Sequence, residues 1–172
     1  MARLPYFDPA SAPEIAPVVE RITRERGGRL LNLYRMLLHS PPLADGWRAL
    51  FTAIRQQAVL SGRVRELVIL YIAVLNGADY EFDAHVPFAL RDGLTQTEID
   101  ALRTGVLDSF DAADRAILAY CCAMTRDVRV SDDAFAALRP HFNERELVEL
   151  TATIAGYNLV SRFLVAMAID HE

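Results

Sequence analysis

The sequence contains few cysteines, and this shortage excludes several kinds of protein. Only Cys121 and Cys122 are present among 172 residues, and they are adjacent. Adjacent cysteines have neither the spacing of a metal site nor that of a disulfide framework. The first residues, "MARLPYFDPASAPE", also lack the apolar segment of a signal peptide. We therefore expect a cytoplasmic protein with two reduced thiols that pack as small core residues.

Positive charge is also scarce. Lysine and arginine together number 18 against 23 acidic residues, for a formal net charge of −5. A protein that binds nucleic acid needs a basic face to displace counterions. The apolar stretch 147–169 is interrupted by Glu149, Asn158 and Arg162, which are costly in lipid. The expected partners are small molecules or other protein chains, with neither nucleic acid nor a membrane, and the stretch suits a buried helix or an oligomer interface.

Motifs for the common cofactor and metal chemistries are missing. The chain has no glycine-rich phosphate loop, no HExxH, no CxxC and no nucleophile elbow. His39, His141 and His171 lack the spacing of metal ligands. We predict no metal and no cofactor.

Signals for helices, in contrast, run along nearly the whole chain. Apolar residues recur at helical spacing, as in "LADGWRALFTAIRQQAVLSG", which ends at Ser61 and Gly62. Thr95 begins a capping box, Asp111 is a candidate cap, and Asn143 and Glu146 repeat the reciprocal pattern. Sustained period-two alternation is absent, so the predicted fold is all-α. We expect one domain over residues 13–172, preceded by an N-terminal arm, residues 1–12, that either lies across a neighbouring subunit or is disordered.

One predicted helix, residues 63–76, is apolar on nearly all sides and contains a glutamate. Glu66 shares its helical face with the apolar residues at positions 69, 70 and 73. Burial against hydrocarbon would favour the neutral carboxyl and raise its pKa. The alternative is a surface glutamate that pairs with Arg63 or Arg65.

A polar cluster follows directly, in "GADYEFDAH" at residues 77–85. Glu81 and His85 are four positions apart, so on a helix the carboxylate can hold the imidazole in one tautomer. Such a pair also occurs on ordinary helix surfaces, which is the alternative. Pro87 either kinks this helix beside His85 or marks the start of a new one.

These residues carry a family resemblance. "RVRELVILYIAVLNGADYEFDAHVPFALRDGLTQTEIDAL" resembles the conserved segment of carboxymuconolactone decarboxylases and alkylhydroperoxidase D-like (AhpD-like) proteins. Both have a glutamate on one apolar helix, a histidine on the next, and then a Gly-Leu turn with a capping box. The resemblance extends from "RLPYFDP" to the final apolar helix. It implies a compact helical bundle that associates through its helices into trimers or hexamers.

The position of the histidine matches both branches of this family, but the thiols match only one. In the peroxidase branch a C-x-x-C precedes the histidine, and counting from Glu66 places its cysteines at Ala78 and Glu81. Tyr80 replaces the histidine found between them. A peroxidase of this type needs an attacking thiolate and a resolving thiol, and both are missing. The decarboxylase branch lacks these cysteines and has a tyrosine-glutamate-aromatic run, which "YEFDAH" resembles.

The resemblance therefore implies a cofactor-free decarboxylase that acts on a small carboxylated lactone or a related acid. His85 would be the acid or base, Glu81 would orient it, and Glu66 would share or relay the proton. Substrate contacts are expected from Tyr80, Arg63 and Arg65. Two alternatives remain open. An AhpD-like peroxidase would need Cys121 or Cys122 to be exposed and acidic. In a non-catalytic binding or assembly protein, Glu66 and His85 would be ion-pair partners in a filled core.

Overall fold

The computed structural model describes all 172 residues as helices joined by short turns, which confirms the all-α prediction. The chain forms two compact units. Residues 1–58 and 164–172 make up the first unit, and residues 59–163 make up the second. The predicted division into an arm and one domain stays a prediction.

The first unit contains three helices that begin at prolines or follow tight turns. Two 3₁₀ turns lead into α1, and α3 continues into one π turn. The bounds are Pro9–Ser11 and Pro13–Ile15 for the 3₁₀ turns, Ala16–Glu25 for α1, Asn32–Leu37 for α2, Pro41–Thr52 for α3 and Ala53–Gln57 for the π turn. In the π turn the Ala58 amide donates to the Ala53 carbonyl at 3.0 Å, five residues back. The helix therefore ends before the predicted stop at Ser61.

The first seven residues are bound to their own unit. The Arg3 amide donates to the Met167 carbonyl at 3.0 Å, and the Phe7 amide donates to the Arg35 carbonyl at 3.1 Å. The Tyr6 hydroxyl lies 3.2 Å from a carboxylate oxygen of Asp170. Backbone and side-chain bonds thus hold the start of the chain against residues far along the sequence.

The second unit is built around one central helix, α4. Its helices are α4 (Gly62–Asn76), α5 (Asp79–Arg91), α6 (Gln96–Thr104), α7 (Ala112–Arg126), α8 (Asp132–Ala136) and most of α9 (Glu144–Met167). Helix α4 packs against α5, α6 and α7. All residues from 66 to 73 are buried, as expected for a helix that is apolar on all sides.

The predicted helix ends in this unit are confirmed. Thr95 and Glu98 form both bonds of a capping box, and the Asp111 carboxylate accepts from the Asp114 amide. Asn143 and Glu146 bond reciprocally at the start of α9. Pro87 lies inside α5, so the interpretation that a helix begins there is wrong.

Helix α9 is unusually long and apolar. It spans 24 residues, and an 18-residue window of it has a mean hydropathy of 1.2, enough in length and composition to cross a membrane. Half of that window is buried against the protein, and the core helix of a globular protein meets the same criterion.

Candidate active site

The His85 ring lies between two carboxylates. Its Nδ1 is 2.6 Å from Oε2 of Glu66, and its Nε2 is 3.2 Å from Oε1 of Glu81. All three side chains are almost inaccessible, with 4% of His85, 1% of Glu66 and 5% of Glu81 exposed. The structure therefore brings together the three residues that were predicted to be catalytic.

Two packed helices and one tight turn produce this arrangement. Gly77 ends α4 with φ at 64°, a left-handed conformation that glycine adopts without strain. The chain then reverses and α5 begins at Asp79, so Glu66 on α4 meets His85 on α5. Glu81 precedes His85 by one helical turn and reaches the other ring nitrogen.

Two aromatic rings enclose the imidazole. Tyr157 packs edge-on at 5.4 Å between ring centroids, and Phe88 lies at 5.7 Å. Tyr157 is buried, whereas Phe88 is half-buried and carries the Arg91 guanidinium over its ring at 5.1 Å. Phe88 thus reaches the surface, whereas Tyr157, Glu66 and Glu81 are buried.

The pKa of Glu66 lies below its usual value, so the prediction of a raised pKa is wrong. Burial does raise it, as the sequence indicated. The hydrogen bond from His85 and the positive charges of His85 and Arg65 lower it by more. From the sequence, burial of Glu66 and pairing with Arg65 were alternatives, whereas the structure combines the two and adds His85.

The pKa of His85 shifts in the opposite direction. Burial lowers the pKa of the imidazole, but the charge of Glu81 and the bonds to Glu66 and Glu81 raise it by more, so the net pKa lies above its usual value. The protonated form, in which both nitrogens donate, is therefore more favoured here than in an exposed histidine. A protonated imidazole held in place by carboxylates can deliver a proton to a bound molecule.

Arg65 holds the outer oxygen of Glu66. Its Nε lies 3.1 Å from Oε1 of Glu66, and its terminal nitrogen lies 2.9 Å from the Asp92 carboxylate. Gly62 leaves room for Asp92, because a Cβ there would lie 2.7 Å from its carboxylate oxygen. This contact explains a glycine at the first position of α4.

The other residues predicted to bind substrate are Arg63 on α4 and Tyr80 on α5. Arg63 binds Asp114 through two nitrogens, at 2.9 and 2.7 Å, and also binds Glu98. Its pKa is raised, first by the bond to Asp114. Tyr80 is half-buried in the first turn of α5, next to Glu81. Both arginines predicted to bind substrate thus have carboxylate partners within the chain, and their role stays a prediction.

The thiols do not take part in this cluster. Cys121 is fully buried on α7, and burial raises the pKa of its thiol, the opposite of the exposed and acidic cysteine that a peroxidase needs. Cys122 is half-buried on the same helix. A groove of about 440 Å³ beside Val19, Glu20 and Thr23 of α1 contains none of the predicted site residues.

Three residues of the cluster were not predicted from the sequence. Asp92 lies in the turn after α5, where "RDG" indicates the end of a helix but no contact with Arg65. Tyr157 belongs to α9 and is distant in sequence, so no local spacing relates it to His85. Phe88 follows His85 by three positions, and this helical spacing was the one signal that could have identified it.

Comparison with known proteins places part of the sequence in a known family. Residues 41–123 match the carboxymuconolactone decarboxylase family. The uncharacterised protein YdfG of Bacillus subtilis is 26% identical over 115 residues, which is 65% of this chain and 78% of YdfG.

Solved structures give the same fold. A protein of unknown function from Agrobacterium tumefaciens, proposed to be the antioxidant defence protein AhpD, is 27% identical with a TM-score of 0.73 over 80% of this chain and 95% of that one. A peroxidase-related protein from Silicibacter sp. TM1040 is 21% identical, with a TM-score of 0.82 over 99% of this chain and 90% of that one, which shows the fold alone. Residues 41–123 thus carry the pattern of the carboxymuconolactone decarboxylase family, and the matched segment, the helical fold and these relatives together support the resemblance to the carboxymuconolactone decarboxylase and AhpD-like proteins.

Proposed function

We propose that the protein is a cofactor-free enzyme that transfers protons during decarboxylation of a small carboxylated lactone or a related acid. The observation that carries the proposal is the buried imidazole of His85 with a carboxylate at each nitrogen. Burial and two carboxylate partners set the protonation of this histidine apart from that of an exposed one, which is typical of catalytic acids and bases.

The two contacts of the ring suit different tasks. The shorter bond, from Nδ1 to Glu66 at 2.6 Å, fixes the orientation of the ring, and Arg65 keeps Glu66 ionised. The longer contact, from Nε2 to Glu81 at 3.2 Å, is the one that a substrate can replace. In this proposal Glu66 orients the ring and Nε2 is its reacting end, whereas the resemblance implied that Glu81 orients the ring and Glu66 relays the proton.

The chemistry needs one proton donor. Loss of carbon dioxide from the substrate leaves an electron pair delocalised into an unsaturated carbonyl. The protonated Nε2 of His85 donates its proton to the remote carbon, the C–H bond forms, and the neutral ring regains a proton from solvent. General acid catalysis of this kind typically contributes 10²–10⁴-fold to the rate.

Access to His85 requires a side chain to move. Tyr157, Glu66 and Glu81 are buried, whereas Phe88 is half-buried. We infer that a substrate enters past Phe88. Arg91 lies over that ring, bonds to Asp92 through Nε at 2.9 Å and keeps 63% of its side chain exposed, so its guanidinium can still attract a substrate carboxylate.

The test is decarboxylation of 4-carboxymuconolactone by the purified protein, followed by release of carbon dioxide. We expect turnover by the wild type and a loss of about 10²–10⁴-fold in His85→Gln. Asp83→Asn is the matched control, because Asp83 is an exposed carboxylate on the same helix that pairs with Arg103. Turnover retained in His85→Gln would contradict the proposal.

Absence of turnover by the wild type would remove this substrate. If related acids also fail while loss of Glu66 destabilises the fold, the cluster is a structural ion-pair network and the protein acts by binding or assembly. Peroxide consumption that disappears in a Cys121→Ala, Cys122→Ala double variant would instead support a thiol peroxidase.

A further inference from the structure

A row of charged side chains connects the turn after α5 to the buried imidazole. Asp92, in that turn, accepts a hydrogen bond from a terminal nitrogen of Arg65 at 2.9 Å. Arg65 donates from Nε to Oε1 of Glu66 at 3.1 Å, and the other oxygen of Glu66 lies 2.6 Å from Nδ1 of His85. The charges alternate in sign along this row. Asp92 is thus connected to the imidazole through two intermediate side chains.

The start of α4 confines the Asp92 carboxylate to one place. A Cβ at Gly62 would lie 2.7 Å from Oδ2 of Asp92, the oxygen that binds Arg65. The absence of a side chain at Gly62 therefore allows this carboxylate to pack against the backbone of α4. Its other oxygen accepts from Nε of Arg91 at 2.9 Å, and 17% of the Asp92 side chain is exposed.

Arg65 and His85 bind the same carboxylate. With Glu66 at Nδ1 and Glu81 at Nε2, the ring is surrounded by groups that favour its proton. A general acid works best when its pKa is near the working pH, because an acid that holds its proton too strongly transfers it slowly. Arg65 brings a second positive charge to Glu66, and a like charge nearby disfavours the protonated ring. Arg65 has this effect only while it stays on Glu66.

We propose that Asp92 is a positioning residue of the candidate active site, which acts by holding Arg65 against the outer oxygen of Glu66. The inference rests on the proposed function, because its consequence for catalysis requires His85 to act as an acid. Without the Asp92 carboxylate, the guanidinium keeps only its bond to Glu66 and can turn its charged end toward solvent. In this role Arg65 acts on Glu66, without contact with the substrate.

Other contacts hold the remaining ionisable groups around the imidazole. Glu81 reaches Nε2 from the preceding turn of α5, and Tyr157 packs against the ring from α9. Two acidic side chains that approach α4 from α6 and α7 are bound by Arg63: Glu98 and Asp114. A change at Asp92 therefore acts on His85 mainly through Arg65.

An NMR titration of His85 in the full chain tests the proposal without a substrate, and His85→Gln identifies its resonance. In Arg65→Gln the midpoint should move to higher pH, because a positive charge near the ring is lost. Asp92→Asn should move the midpoint in the same direction, and the double variant should move it no further than Arg65→Gln does. Asp83→Asn is the control, because Asp83 also pairs with an arginine on the same helix but is exposed, and its midpoint should match that of the wild type.

The direction of the shift in Asp92→Asn decides the outcome. If Arg65 stayed on Glu66 without Asp92, only a negative charge would be lost, and the midpoint of His85 would move to lower pH. A lower or unchanged midpoint in Asp92→Asn would therefore overturn the proposal. So would a double variant in which the two shifts add.

Catalysis provides a second measurement. In Asp92→Asn we expect kcat to fall about threefold to tenfold, less than the 10²–10⁴-fold expected for His85→Gln, because the acid remains but holds its proton more strongly. The alkaline limb of the pH–rate profile should move to higher pH, with KM unchanged. A fall in kcat without that movement would indicate a structural defect and overturn the proposal. A wild type without turnover would contradict the proposed function, whereas the titration would still decide the role of Asp92.

Discussion

At the scale of single residues, the cluster around His85 depends on charges that are buried together. Glu66→Gln keeps the shape of the side chain but removes the charge that faces both His85 and Arg65. Breaking a buried ion pair costs roughly 3–5 kcal/mol, whereas an exposed pair contributes about 0–1 kcal/mol. We expect urea denaturation to show the larger loss for Glu66→Gln and the smaller one for Asp83→Asn, whose partner Arg103 is half-exposed. Equal losses of unfolding free energy in the two variants would mean that burial does not strengthen the ion pairs of Glu66.

The same residues predict how stability depends on pH. The pKa of His85 is raised in the folded protein, so its contribution is full below the ordinary value of 6.5 and is lost as pH rises through the folded pKa. The pKa of Glu66 is lowered, so its contribution is present above the ordinary value of 4.5 and is lost as pH falls through the folded pKa.

We therefore expect the free energy of unfolding to decline on the alkaline side as His85 loses its proton. In Glu66→Gln this decline should be smaller and should end at a lower pH, because Glu66 helps to hold that proton in the folded protein. Urea denaturation across a pH series measures both curves. An alkaline decline that is the same in the two proteins would contradict the assignment to His85.

The sequence could predict contacts between residues close together in the chain but not contacts between distant ones. Glu81 and His85 are one helical turn apart, and their contact follows from the helix repeat. Glu66 was identified because it interrupts an apolar helix. Tyr157 and Asp92 could not be identified, because tertiary packing alone brings them to His85 and Arg65.

At the scale of helices, we predict that replacing glycine by alanine has opposite effects on stability at two positions. Gly77 ends α4 with φ at 64°, where alanine is strained, so Gly77→Ala should cost about 1 kcal/mol. Gly46 lies inside α3, and a Cβ there would meet nothing within 4 Å, so Gly46→Ala should stabilise by roughly 0.5–1 kcal/mol. Thermal unfolding of both variants and the wild type measures the two effects: the unfolding temperature should fall for Gly77→Ala and rise for Gly46→Ala. A shift in the same direction for both variants would contradict this prediction.

Helix ends were easier to predict than helix interiors. Thr95, Asp111 and Asn143 were identified because capping is a local bond between residues three apart. The π turn after α3 has no such signal, because its residues have ordinary helical spacing. Pro87 lies inside α5 at an exposed position, which no local pattern distinguishes from the start of a helix.

At the scale of the whole molecule, one carboxylate of the last helix, α9, binds the backbone just before the central helix, α4. Glu149 on α9 accepts hydrogen bonds from the amides of Val59 and Leu60 at 2.8 and 2.9 Å, just before α4. Val59 and Glu149 are 90 positions apart in the sequence.

On the ribosome this separation becomes a delay. At about 5–20 residues per second, Glu149 is synthesised roughly 5–18 s after Val59. During that interval α4 has been synthesised, but the hydrogen bonds from Glu149 that fix its start cannot form. Its apolar sides also stay uncovered until α5, α6 and α7 have been synthesised. The nascent chain therefore presents its most apolar helix uncovered for several seconds, which makes that segment a natural binding site for a chaperone during synthesis.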